Sequence, residues 1–139
     1  MADVGAVGLR LRRTGDAVVI CDQLSMGESF SQRLLGLMGR ASIGSDEGLY
    51  LQTSSIHMMF MRFPIDALFL GKPDGDGKRR VVATREHLPP WRGIVMPVRG
   101  AEGVVELQAG TLGRHGVGLE DRVIFESAEG RADTGDRGA

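Results

Sequence analysis

His57, Arg62 and Asp66 bring the most varied chemistry into the shortest span of this chain. An imidazole changes charge near neutral pH and can pass a proton, and a carboxylate can orient it. A guanidinium beside them would hold an anion or pair with the carboxylate. One use of the set is a hydrolase or transferase working through His57 and Asp66. The plainer use is structural. His57 would then be hydrogen-bonded at a strand start, and an Arg62–Asp66 ion pair would staple the bend that Phe63-Pro64 imposes. Motifs that would decide for catalysis are missing. There is no Ser or Cys in a nucleophile elbow, no phosphate-loop glycine pattern and no H-E-x-x-H.

Met58, Met59 and Met61 flank His57, and with Cys21 they supply soft ligands of the kind Cu(I) takes. Read as a strand, Ile56–Met61 puts His57, Met59 and Met61 on one face, at a same-face spacing of roughly 6.6–7 Å. That is too wide for convergence on one ion, and methionine is a common core filler. No metal and no cofactor are expected.

These residues belong to Ser55–Leu70, the longest apolar run of the chain. In Ile65–Leu70 the period-two pattern sets Asp66 beside Leu68 and Leu70, so a carboxylate lies among core positions and needs a partner. Arg62, Arg33 and Arg40 are the expected partners. Arg33 and Arg40 lie on or beside the one clear helix pattern, 29–39. Ser29 with Gln32 makes a capping box, Phe30, Leu34, Leu37 and Met38 share a face, and Gly39 suits the C-terminal position. Gly36, between the two arginines, either packs closely on a strand or leaves a notch for an anion.

Around that centre the chain reads as short strands. Val7–Arg12 and Ala17–Cys21 flank Thr14-Gly15-Asp16 and form a hairpin. Ala41–Glu47 is a loop and Gly48–Gln52 a strand. Ile65–Leu70 and Arg80–Thr84 form a second hairpin about the turn at Lys72–Gly77. His87–Gly100, with Pro89, Pro90 and Pro97, reads as an irregular loop in which Trp91, the only tryptophan, packs or walls a pocket. Gly103–Leu107 is a strand, Ala109–Leu112 a helical turn and Arg122–Glu126 the last strand. Twenty-one glycines in 139 residues fit a chain of tight turns.

Seventeen basic and eighteen acidic residues leave a net charge of −1, so the cationic excess that nucleic acid requires is absent. One cysteine allows no internal disulfide. The start shows neither a signal-peptide pattern nor an apolar span of membrane length, which gives a cytoplasmic expectation, with export expected instead if a native leader was removed.

Arg33–Arg40, the glycine-led strand at Gly48–Leu51, His57–Leu70, Val104–Gly110 and Gly118 with Asp121-Arg122-Val123 occur in an order that resembles the domain of unknown function 192 family, the uncharacterised ACR group. The resemblance spans residues 8 to 126. It implies a mostly β, sandwich- or barrel-like domain with one helix packed on it, and it brings no activity or cofactor. Its characteristic positions fall here on Arg33, Gly36, Met38, Met61, Pro64, Asp66, Glu106 and Gly110.

The expectation is therefore a small β-sandwich or barrel-like single domain over 8–126, with an α-helix over 29–39 packed on it. A flexible segment 1–7 and a disordered tail 127–139 flank the domain. The expected use is binding a small anionic or polar ligand or a partner, with no nucleic acid and no membrane. A structural module without a pocket is the further alternative. The expected binding residues are Arg33, Arg40, His57, Arg62, Asp66, Trp91 and Glu106. The expected pocket lies where the Arg33/Arg40 helix face, the Pro64 bend and the Trp91 loop meet.

Overall fold

The computed structural model describes residues 8–27 and 40–127. The helix expected over 29–39, with Arg33, Gly36 and Met38, lies outside the described residues, as do residues 1–7 and 128–139.

Seven strands close into a barrel, and a two-stranded ribbon lies apart from them. The barrel strands are β1 (Leu9–Arg13), β2 (Val19–Gly27), β3 (Glu47–Leu51), β5 (Ile65–Leu70), β6 (Arg79–Leu88), β8 (Gly103–Gln108) and β9 (Arg122–Ser127). The ribbon pairs β4 (Ile56–His57) with β7 (Ile94–Val95), and the helical turn α1 (Thr111–Arg114) follows β8. Around the barrel the order is β1-β2-β3-β8-β5-β6-β9, closed by antiparallel pairing of β9 with β1. Both expected hairpins form, β1–β2 and β5–β6. The turn between β5 and β6 is fastened by Asp74, whose Oδ1 accepts the amides of Asp76 and Lys78 at 2.8 and 2.9 Å. β2 runs to Gly27 and pairs with β3 in parallel. Parallel neighbours need a connection of about a dozen residues or more, and the 28–46 connection is long enough.

Two cores result, one on each side of the same sheet. Leu11, Ile20, Leu24, Leu68, Leu70, Val105, Leu107 and Leu112 fill the barrel. On the outer face, Ile65, Ala67, Phe69 and Val104 pack under Ile56, Met58, Met61, Phe63 and Val95. The covering layer consists of segments 52–64 and 89–101, which cross the outside of β5, β6 and β8 as a flap held together by the β4–β7 ribbon. Every residue of β5 is therefore buried, which is why its sequence is a continuous apolar run rather than an alternating one.

Each end of the barrel is closed by polar chemistry. At one end the Arg79 guanidinium lies 5.2 and 5.0 Å from the ring centroids of Tyr50 and Phe125, which meet edge to face, and donates to Glu102 at 2.9 Å. At the other end α1 sits under Asp66. Among the described residues no helix is long and apolar enough to cross a membrane.

Candidate functional site

Asp66 is fully buried on β5, with the parity of Leu68 and Leu70, and so points into the barrel. Its Oδ1 accepts the His87 amide at 2.9 Å. Its Oδ2 accepts the amides of Gly110 and Leu112, each at 3.0 Å. The β5–β6 register shifts between Ile65 and Ala67, which leaves an extra residue in β6 opposite Asp66. His87, at φ 54°, turns its amide inward from that bulge. Gly110, at φ 99°, turns its own inward before α1. One carboxylate thus fastens the bulge, the glycine turn and the helical turn. The expected Arg62–Asp66 staple is not what forms. Arg62 is exposed, and the oxygens of Asp66 are taken up by three main-chain amides. Arg40 pairs with Glu47 Oε1 at 2.8 Å instead, and Arg33 lies outside the described residues. The Gly44 amide, followed by Arg40, holds the Glu47 carboxyl below its usual range.

His57 and Asp66 are on opposite sides of the sheet. In the ribbon, Ile56 and Val95 face each other and are buried, while half-buried His57, its Nδ1 enclosed, pairs with exposed Ile94. Asp66 is inside the barrel and His57 is on the flap that covers its outside. A shared proton relay between them is geometrically closed. Glu106 is fully buried on β8 with the parity of Val104, so it lies on the outer face, between Leu49 of β3 and Ala67 of β5.

Ile56–Met61 is not one strand. After β4 the chain turns, Met61 N donating to Met58 O at 3.0 Å, with Phe60 at φ 69°. Met58 and Met61 are fully buried while Met59 and Phe60 are exposed, so the expected face of His57, Met59 and Met61 does not exist. The methionines divide between core and surface. Among the described residues no group of three His, Cys, Asp or Glu side chains is placed to hold a metal ion. Cys21 is buried beside Gly48, and burial pushes its thiol up to about 12.

The 87–100 segment is ordered by the same turn. Trp91 N donates to Met58 O and Met58 N to Gly93 O, each at 2.8 Å. Trp91 takes φ 70°. Left-handed backbone is rare for a bulky residue and costs on the order of 1 kcal/mol or more at each position. Here two aromatics adopt it, Phe60 and Trp91, and their rings meet edge to face at 5.1 Å between centroids. Both rings stay exposed, at 46% and 55%. With them the flap presents Met59 at 49%, Ile94 at 65% and Met96 at 70%. Apolar side chains gathered on one element and left in water mark a binding surface more often than single exposed ones do.

Charge around this face is one-sided. Segments 52–65 and 87–101 contain Arg62, Arg92 and Arg99 and no Asp or Glu, although the chain has eighteen acidic residues. Of the expected binding residues, Arg62, Trp91 and His57 are thus on the flap, Asp66 and Glu106 are buried on opposite sides of the sheet, and Arg40 is tied to Glu47. Phe60, Ile94 and Met96 were not anticipated. The acid-free composition of both flap segments is the signal that could have found them.

A family model described as DUF192, Uncharacterized ACR, matches residues 11–125. No curated protein matches the chain. Among solved structures, one from Sinorhizobium meliloti 1021, described as a candidate transcription regulator, is 29% identical with a TM-score of 0.65, covering 86% of this chain and 92% of its own. A protein of unknown function from Novosphingobium aromaticivorans DSM 12444 is 22% identical with a TM-score of 0.65, covering 84% and 82%. The second likeness speaks for the fold alone.

Proposed function

The chain belongs to the DUF192 family, and we propose that in it the barrel is a scaffold and the flap a docking surface for an acidic, apolar segment of a protein partner. One observation carries this reading. Two strained aromatics and three further exposed apolar side chains share a flap whose only charged side chains, apart from histidine, are arginines. Stacking aromatics supply contact area at low entropic cost, and arginines select the sign of the partner. His57 and Arg62 enter as rim residues, and Trp91 as the anchor.

The hydrolase or transferase alternative through His57 and Asp66 has no support from this geometry, because the sheet lies between them. The Sinorhizobium structure is described as a candidate transcription regulator, so nucleic-acid binding is the reading to weigh against this one. Against that, three arginines on the flap, in a chain of net charge −1, are few for phosphate-backbone binding.

Selection of random peptides by display on the wild-type chain tests the reading. Enrichment of acidic and apolar residues, with loss of binding to a Trp91→Ser, Ile94→Ser double variant of unchanged melting temperature, is the expected result. Selected peptides that bind the double variant equally well would overturn it. So would binding confined to DNA or to anionic vesicles.

A further inference from the structure

Among the described residues no strand pairs with β7 beyond β4, and that outer edge of β7 borders a groove. Met58 N donates to Gly93 O while Gly93 N donates to Pro89 O, so a single ladder bond lies next to the His57/Ile94 pair, as it does beside a non-bonded pair. Hydrogen-bonded and non-bonded pairs alternate along an antiparallel ladder. His57 and Ile94 are then the non-bonded pair and Ile56 and Val95 the next bonded one. The amides and carbonyls of Ile94 and Met96 consequently point away from β4, to the far edge of β7. Among the described residues the sheet ends there, with β4 and β7 its two strands. Beside that edge runs an open groove of about 740 Å³. One wall is the continuous stretch 94–99, and the other is 82–85 of β6 with Leu119. Within 94–99, Ile94–Val95 is strand, and the chain enters a turn at Arg99. Among the described residues the charged side chains lining the groove are Arg85 and Arg99, and no acid is among them.

We infer that this groove takes an extended peptide as a third strand on β7, with apolar and acidic residues alternating along the peptide. The inference rests on the docking reading above and specifies its mode. Main-chain hydrogen bonds to Ile94 and Met96 would hold the segment, as in other strand additions to an open edge. Alternate side chains would lie against Ile94 and Met96 as cross-strand neighbours. The intervening carboxylates would meet Arg85 and Arg99. A strand edge accepts any sequence, so the apolar wall and the two arginines supply the selectivity.

The probe is an acetylated, amidated heptapeptide alternating valine and glutamate, titrated into the full chain by calorimetry. Saturable binding is expected. In an added strand only every second peptide amide faces β7. N-methylation of one alternate set should therefore abolish binding, while methylation of the other set changes it by less than about threefold. Arg85→Glu with Arg99→Glu should weaken binding about tenfold or more, and the corresponding lysine pair should retain it. Binding that tolerates methylation of both sets, or loses it with either, overturns strand addition while the flap stands as a docking face. Failure of the heptapeptide to bind, with display-selected peptides still requiring Trp91, does the same. Failure of both kinds of peptide to require the flap removes the docking reading and this inference together.

Discussion

Replacing Asp66 separates a structural carboxylate from a site residue. Three amides give it up, from His87, Gly110 and Leu112, the last fully buried. A hydrogen bond to a charged acceptor is worth about 1.5–3 kcal/mol net, and removing the acceptor strands its donors. Against that, Asp66→Ala also removes a buried charge, whose desolvation costs several kcal/mol. The balance is a loss of about 3–4 kcal/mol, a large share of the roughly 5–15 kcal/mol available to a domain. Asp66→Asn keeps one acceptor, which can serve Gly110 and Leu112, and turns an NH2 group on the His87 amide. The loss there is one bond, about 2 kcal/mol, or roughly 6–10 °C in melting temperature. Urea unfolding followed by Trp91 emission measures both. The midpoint should fall at constant m-value, alanine below asparagine. If both variants stay within about 0.5 kcal/mol of wild type, the fastening role assigned to Asp66 is wrong.

Further outcomes follow from the packing and the charges. A methyl group on Gly103 would overlap the hydroxyl and ring of Tyr50, which Arg79 and Phe125 hold in place, so Gly103→Ala should cost about 2–3 kcal/mol in the same unfolding assay. Cys21, with its thiol pushed up to about 12, should resist iodoacetamide at pH 8 in the folded chain and react at once in urea; mass spectrometry reads the adduct. Hydrogen bonds from Arg12 and then Arg10 hold the Glu126 carboxyl below its usual range, and Glu47 is lowered as described above. A depressed folded-state pKa stabilises above the unfolded value of about 4.3 and is lost as pH falls through the folded one. The melting temperature should therefore fall below about pH 4, and less steeply in Glu126→Gln.

Local signals carried the strands, and distance hid the rest. Thr14-Gly15-Asp16 and Lys72–Gly77 marked both hairpins because their turn chemistry is contained in a few residues. The apolar run Ile65–Leu70 marked a core strand of the second hairpin, and the flap that covers its other face was hidden by the same distance. The parallel β2–β3 pairing and the β1–β9 closure join segments far apart in the chain, and nothing in either segment names its partner. Asp66 was legible as a buried carboxylate in need of partners. It was misassigned to arginines because main-chain donors carry no sequence signature, and Gly110 lies 44 residues away. The resemblance did place Asp66 and Gly110 in one set of characteristic positions, and the hydrogen bond between them supplies a reason. The flap defeated the period-two reading of Ile56–Met61 because Phe60 and Met61 are not turn formers, and the Met58 carbonyl accepts amides from Met61 and Trp91 to make the turn.

Trp91 gives the most direct test, because the chain's only tryptophan stands on the proposed docking face. Its emission should shift to the blue and saturate as a display-selected acidic peptide is added, and the shift should vanish in Ile94→Ser, Met96→Ser at unchanged melting temperature. Emission that stays at the wavelength of the free chain while calorimetry reports saturated binding would contradict docking on the flap.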